Sequence, residues 1–392
     1  MKFKTNLFLW LIFFATAQAQ TKYDLKLKVD GFDREFIVQL PSKSPPVDGW
    51  PVVIMIHGSG GDKDVFYNAY GWSELGEKEN FITVFPSALR WCVIEDSIRT
   101  TTAKWNSGCL LDEVCPRDSL ELVSDVKFLR RIVTLLNDTV PLNRNKIFAS
   151  GFSNGDCMVN KLGMDASDMF SGIAGSAGGY HELDFIQPQR RIPFWYTIGN
   201  KDDRFFRGSF TEIPYGADSC LIYFQTMISR FKQSLGLGDG FVKTEYADYK
   251  TYLFNQCKPG EICSPFKFTL LKDHPHQYPN GRNHNFDAPK EFWNFYCNPP
   301  DVLTTGISTA DNHKNSSLYP NPNYGEFEID LGRNFNHLDL FLYNKDGKLI
   351  LNSQEREKSK LKINTSLSSG VYFVKIIADG NQVYHHSILV VN

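Results

Sequence analysis

The chain carries almost no net charge: 42 Lys and Arg stand against 44 Asp and Glu, a formal −2 over 392 residues. That balance gives no electrostatic reason to expect nucleic acid or an anionic membrane as partner. The eight cysteines contain no C-x-x-C spacing, and the histidines show no i, i+4 pair of the kind a helical zinc site uses. Beyond Leu7–Phe14 no segment is long and apolar enough to cross a bilayer, so no transmembrane segment is expected in the mature chain. Nucleic-acid binding and zinc catalysis of the helical type are thereby set aside.

What is present is an ordinary globular balance, 42% hydrophobic and 22% charged, with room for a large core. The first residues read as a signal peptide over 1–19. Lys2 and Lys4 form the charged start, Leu7–Phe14 the apolar stretch, and Ala17-Gln18-Ala19 the cleavage site. No cysteine follows closely, which argues against lipid attachment. Export allows oxidation of Cys92, Cys109, Cys115, Cys157, Cys220, Cys257, Cys263 and Cys297. Cys109/Cys115 and Cys257/Cys263, each within a short loop-like segment, are the favoured pairs.

Residues 22 to about 300 alternate strand-like and helix-like stretches. Pro51–Ile56 and Phe81–Pro86 are apolar runs suited to parallel strands buried on both faces. Leu122, Val126, Leu129, Val133 and Leu136 recur at spacings of three and four, as an amphipathic helix requires. Further strands are expected at Ile192–Ile198, Phe241–Phe254 and Phe266–Leu271, and helices at Leu221–Leu235 and Pro289–Phe295. Such alternation predicts an α/β domain over 20–300 with a mostly parallel sheet and helices on both faces. A Thr-, Ser- and Asn-rich linker follows over 301–317. Short alternating strands then predict a small β-sandwich over 318–392.

The chemistry concentrates at Gly151-Phe152-Ser153-Asn154-Gly155, which follows the apolar run Lys146–Ser150. A G-x-S-x-G turn between strand and helix lets the backbone fold tightly and pushes the serine oxygen outward. A serine nucleophile needs a base and an acid to orient that base. In α/β-hydrolases these follow in the order Ser, Asp/Glu, His. Asp202 lies just after the apolar 193–198 run, with Asp203 as the alternative. His276, after the 266–271 strand, is the leading base, with His274 and His284 behind it. Three histidines near carboxylates leave a metal reading open, but their Pro- and Asn-rich segment disfavours it. His57-Gly58-Ser59-Gly60-Gly61, at the tip of the 51–56 strand, supplies a backbone N–H that would complete an oxyanion hole with Asn154, while His57 itself reads as structural. Trp91, Trp105 and Tyr278 are candidates to line an aromatic cleft.

These motifs together resemble the secreted esterases that include polyhydroxybutyrate depolymerase-like proteins, feruloyl esterases and acetylxylan esterases. The resemblance covers most of residues 22–297 and rests on His57-Gly-Ser-Gly-Gly, the Ser153 elbow, Gly199-Asn-Lys-Asp202 and His276-Gln-Tyr-Pro. It implies an α/β-hydrolase fold, catalytic Ser153, Asp202 and His276, an oxyanion hole from Ser59 and Asn154, and no cofactor or metal. Substrate contacts are expected at Trp105 and Tyr278, and the substrate is expected to be an ester-bearing polymer or oligomer. Feruloyl or acetyl esters on plant polysaccharide are favoured, and a polyester is the alternative. A polymer-binding protein on a hydrolase scaffold is the non-enzyme alternative. The chain departs from the family at Asp156 and Cys157, where glycine is usual after the elbow, and at Tyr278, where tryptophan is usual.

The last part resembles the C-terminal sorting domain of the type IX secretion system. The matching residues are Tyr319-Pro320-Asn321-Pro322, Gly325-Glu326-Phe327, Asp346-Gly347-Lys348 and Leu367–Lys375. The resemblance implies the type IX machinery as partner, and a secreted or cell-surface location.

Overall fold

Val52, Ile54 and Ile56 alternate with Val53 and Met55 along one strand, and the two sets enter different cores. Only a strand covered by helices on both faces buries every residue in this way, and that strand organises the fold. In the computed structural model, residues 21–391 are described except 96, 109, 117–121, 180–186, 304–315, 345–347 and 380–381. The expected signal peptide, and Cys109, lie outside the described residues. The chain divides into two compact units, Met1–Leu303 and Thr304–Asn392.

In the first unit the elements run β1 (Thr21–Val29), β2 (Phe32–Leu40), β3 (Trp50–Ile56), α1 (Lys63–Ala69), α2 (Trp72–Glu79) and β4 (Ile82–Pro86). A hairpin of β5 (Arg90–Glu95) and β6 (Ile98–Ala103) leads to α3 (Leu110–Glu113) and α4 (Asp125–Thr139). Then come β7 (Leu142–Phe152), α5 (Asn154–Asp165), β8 (Gly172–Ser176) and β9 (Phe194–Gly199). The unit closes with α6 (Ser219–Tyr223), α7 (Gln225–Leu235), β10 (Val242–Glu245), β11 (Tyr249–Phe254), β12 (Phe266–Leu271) and α8 (Ala288–Cys297).

Ten strands form one sheet in the order β1-β2-β4-β3-β7-β8-β9-β12-β11-β10. The six from β4 to β12 are parallel to one another, and antiparallel strands flank them on both sides. This is the α/β-hydrolase arrangement. One core packs Val52, Ile54 and Ile56 against Phe128, Leu129 and Ile132 of α4, Met158 and Leu162 of α5, and Phe231 of α7. The other packs Val53 and Met55 against Trp72 of α2 and Phe292 and Phe295 of α8. The amphipathic pattern expected over 122–136 is α4, which begins at a Ser124 cap whose oxygen accepts from Lys127 N.

Two expectations change. The expected 221–235 helix is two helices, with Phe224 between them. Cys115 is bonded to Cys92, so the expected Cys109/Cys115 pair does not form; Cys257–Cys263 is present. Proximity in sequence favoured Cys109, but the backbone pairs Val93 with Val114, and Cys115 N donates to Cys92 O at 2.8 Å. Residues 301–303 are held on the first unit: Asn255 donates to Asp301 O, and Leu303 pairs with Asn255 and Cys257.

The second unit is a sandwich of two antiparallel sheets. One is β13 (Ser317–Tyr319), β14 (Glu326–Phe335) and β17 (Lys358–Asn364). The other has the order β16 (Leu349–Glu355), β15 (Leu338–Asn344), β18 (Gly370–Ala378) and β19 (Gln382–Val390). Alternate residues such as Ile329, Leu340, Leu342, Val374 and Ile376 fill the space between them.

Candidate active site

Strand β7 ends at Phe152 and α5 begins at Asn154, leaving Ser153 alone to make the turn. It does so at φ 54° and ψ −124°, a conformation that costs a non-glycine residue about 1–3 kcal/mol and that clusters at functional sites. The flanking glycines are required by contact. A Cβ at Gly155 would collide with the carbonyl oxygens of Ile56 and His57, and one at Gly151 with the carbonyl of Gly155. The elbow is therefore wedged between β3 and its own helix, and the serine oxygen projects at the carboxyl ends of the parallel strands.

Two other loops leave the same end of the sheet. Asp202 follows β9 and His276 follows β12, and these strands are parallel neighbours. The loops are stitched together: Lys201 N donates to His274 O at 3.0 Å and Asp273 N to Asn200 Oδ1 at 2.6 Å. The result is a chain of hydrogen bonds. His276 Nδ1 lies 2.8 Å from Asp202 Oδ2, and His276 Nε2 lies 3.0 Å from Ser153 Oγ. Asp202 is buried and acceptor-only when ionised, so Nδ1 carries the donated proton and Nε2 is left to accept from the serine hydroxyl.

The alternatives go elsewhere. Asp203 is exposed. The ring of His274 bonds Gln277 O at 2.9 Å, and burial pulls its pKa down. His284 accepts from Phe286 N at 2.9 Å. His57 is fixed on both sides: Nδ1 donates to Gly58 O at 2.7 Å, and Nε2 accepts from Ala88 N at 2.9 Å. Burial lowers its pKa to about 4, so it is a neutral structural group.

The β3–α1 loop comes directly against Ser153: a Cβ at Gly58 would sit 3.2 Å from the Cβ of Ser153. Ser59 is the next residue, and Asn154 is the first residue of α5. Of these two residues, Ser59 thus lies on the loop packed against Ser153 and Asn154 at a helix N-terminus.

Trp105 and Tyr278 are placed in the interior and offer no ring face to solvent. Trp105 bonds the backbone of His57 and the side chain of Asn154. Tyr278 Oη accepts from Trp72 Nε1 at 2.9 Å. The expected aromatic wall is therefore not made by these two. Phe152, which sequence reasoning passed over, is half-buried with its ring centroid 5.0 Å from that of His276. Its signal was its place as the variable residue before the serine.

Asp156, the departure noted after the elbow, is fully buried under the turn. Its Oδ2 accepts from Gly178 N at 2.8 Å, while Oδ1 faces Gly175 with no partner. Burial pushes its pKa up to about 8, against which the N–H groups of Gly178 and Gly179 only partly pull.

With this geometry in view, the comparisons fall into two parts. Residues 317–391 match the secretion system C-terminal sorting domain. No curated protein matches the chain in sequence. Among solved structures, the chain is similar to an acetyl xylan esterase from Aspergillus awamori at 13% identity and a TM-score of 0.45, over 65% of this chain and 94% of that one. It is similar to an S-formylglutathione hydrolase from Agrobacterium tumefaciens at 12% identity and 0.45, over 72% and 96%. A ferulic acid esterase aligns at 13% identity and 0.39, over 67% and 92%. Likeness at this level assigns no substrate to the chain.

Proposed function

We propose that the chain is an exported serine carboxylic-ester hydrolase that works through an acyl-enzyme. The observation that carries this reading is the unbroken Ser153–His276–Asp202 hydrogen-bond chain at a backbone-strained elbow. Ser153 Oγ attacks the ester carbonyl carbon while its proton passes to His276 Nε2. The carbonyl oxygen becomes an oxyanion held by the N–H groups of Ser59 and Asn154. His276 then protonates the departing alkoxide, and the alcohol leaves. Water repeats the sequence on the acyl-enzyme: its proton goes to His276, the tetrahedral adduct releases the carboxylic acid, and Ser153 recovers its proton.

Feruloyl or acetyl groups on plant polysaccharide are the proposed acyl groups. The sorting domain supports export, and an exported esterase meets polymeric substrates outside the cell. A signal peptide over 1–19 and the type IX machinery would carry it there. The test is hydrolysis by the full mature chain of methyl ferulate, acetylated xylan, short p-nitrophenyl esters and amorphous polyhydroxybutyrate, each beside a Ser153→Ala control. Wild-type release of ferulate or acetate, lowered by at least about 10³-fold in the control, is expected. Clearing of polyester alone would replace the polysaccharide reading, and near-normal turnover by Ser153→Ala would end the serine mechanism.

A further inference from the structure

The two N–H groups assigned to the oxyanion hole come from different elements, Ser59 from the β3–α1 loop and Asn154 from the start of α5. Both must fall about 2.7–3.1 Å from one oxygen, and a displacement of about 1 Å costs on the order of 10²-fold in rate. Packing of a loop against a helix does not by itself hold such a distance, so something must tie the two together.

We infer that Trp105 is the positioning residue that does this. Its backbone and its indole bond to opposite sides of the hole. Trp105 N donates to Asn154 Oδ1 at 2.7 Å, and Asn154 Nδ2 donates back to Trp105 O at 3.3 Å. Asn154 Nδ2 also reaches Ser107 Oγ at 3.4 Å. The indole Nε1 donates to His57 O at 2.8 Å, two residues before Ser59, and the His57 ring packs on the indole with centroids 5.0 Å apart. On the far side of the same loop, Gly60 N donates to Ala103 O at 2.8 Å. The segment 103–107 thus grips the loop at two points and the helix start at a third.

The strut has its own anchor. Asn106 N donates to Asp125 Oδ2 at 2.7 Å, and Asp125 Oδ1 takes the guanidinium of Arg34 at 2.6 Å, with Arg34 and Asp125 both buried. A fully buried tryptophan whose every polar group is spent on these bonds is not free to meet a substrate; its role is to set where the substrate's oxygen is met. This role rests on Ser153 being the nucleophile.

The test uses the full chain. Trp105→Phe keeps most of the ring and removes the indole donor to His57 O. Asn154→Ala keeps the backbone N–H of residue 154 and removes the side-chain clamp. Each variant is expected to lower kcat about 10- to 100-fold with KM within about threefold, and with the pH–rate profile unchanged because His276 is untouched. Both cut the same strut, so the double variant should be no slower than the slower single one. Losses that multiply in the double variant, or a loss confined to KM, would overturn the inference. Amide hydrogen exchange gives a readout without substrate: Trp105→Phe should speed exchange in both 57–61 and 152–156. Exchange unchanged in either segment would overturn the strut even if the chain hydrolysed no ester, whereas an inactive wild type with coupled exchange would overturn only the hydrolase reading.

Discussion

Replacing Asp156 with asparagine should remove a pH dependence of stability that the wild-type chain owes to one buried carboxyl. Its pKa is pushed up from an ordinary 3.8 to about 8 because burial removes water and only the backbone N–H groups of Gly178 and Gly179 compensate the charge. The titratable groups that feel its charge are Tyr196, whose hydroxyl is also buried without a partner, and Tyr296. Folded pKa lies above unfolded pKa, so between about pH 4 and 8 the folded state holds one more proton than the unfolded state. The stability from this group is complete below about pH 4 and falls as pH rises, levelling off above about 8. At about 1.36 kcal/mol per pH unit, the wild type should lose about 4 kcal/mol relative to Asp156→Asn between pH 5 and 8. Denaturant unfolding of both proteins at one-unit steps from pH 5 to 9 measures this difference, and subtraction cancels every other titrating group. A difference that stays flat from pH 5 to 8 would show that Asp156 is not protonated in the folded state.

Two more substitutions test the scaffold. Gly155→Ala should cost about 3 kcal/mol or prevent folding, because its methyl meets two backbone oxygens of β3 and its loop, which cannot move aside; a wild-type denaturation midpoint would refute the wedge. Tyr278→Phe should lower stability by about 1–3 kcal/mol, because it keeps the ring packed but leaves the buried Trp72 N–H without its acceptor. An unchanged unfolding midpoint would mean that bond is not made.

Legibility followed locality. The elbow could be read from five residues because its requirements are covalently local: a strained turn, a strand behind it and a helix ahead. The central strands β3 and β4 could be read because double-sided burial leaves an unbroken apolar run. Strand β8, equally central, was missed. Gly172-Ile-Ala-Gly-Ser176 shows no such run, since small residues there make room for what packs on them, Gly175 against the Asp156 carboxyl.

The sequence alone determined that Ser153, Asp202 and His276 each follow a strand-like apolar run, and strand–helix alternation brings such loops to one end of a parallel sheet. It also determined the change to short alternating strands near residue 318. Which of two adjacent aspartates turns inward, and which of three histidines reaches the serine, was decided only when β9 and β12 paired and their loops were stitched. Which cysteine meets Cys115 was decided by the β5–β6 hairpin, and whether Trp105 faces a ligand or spans two loops was decided by burial. These choices turn on ångström distances between residues 23 to 123 apart in the chain, and local pattern carries no information about such distances.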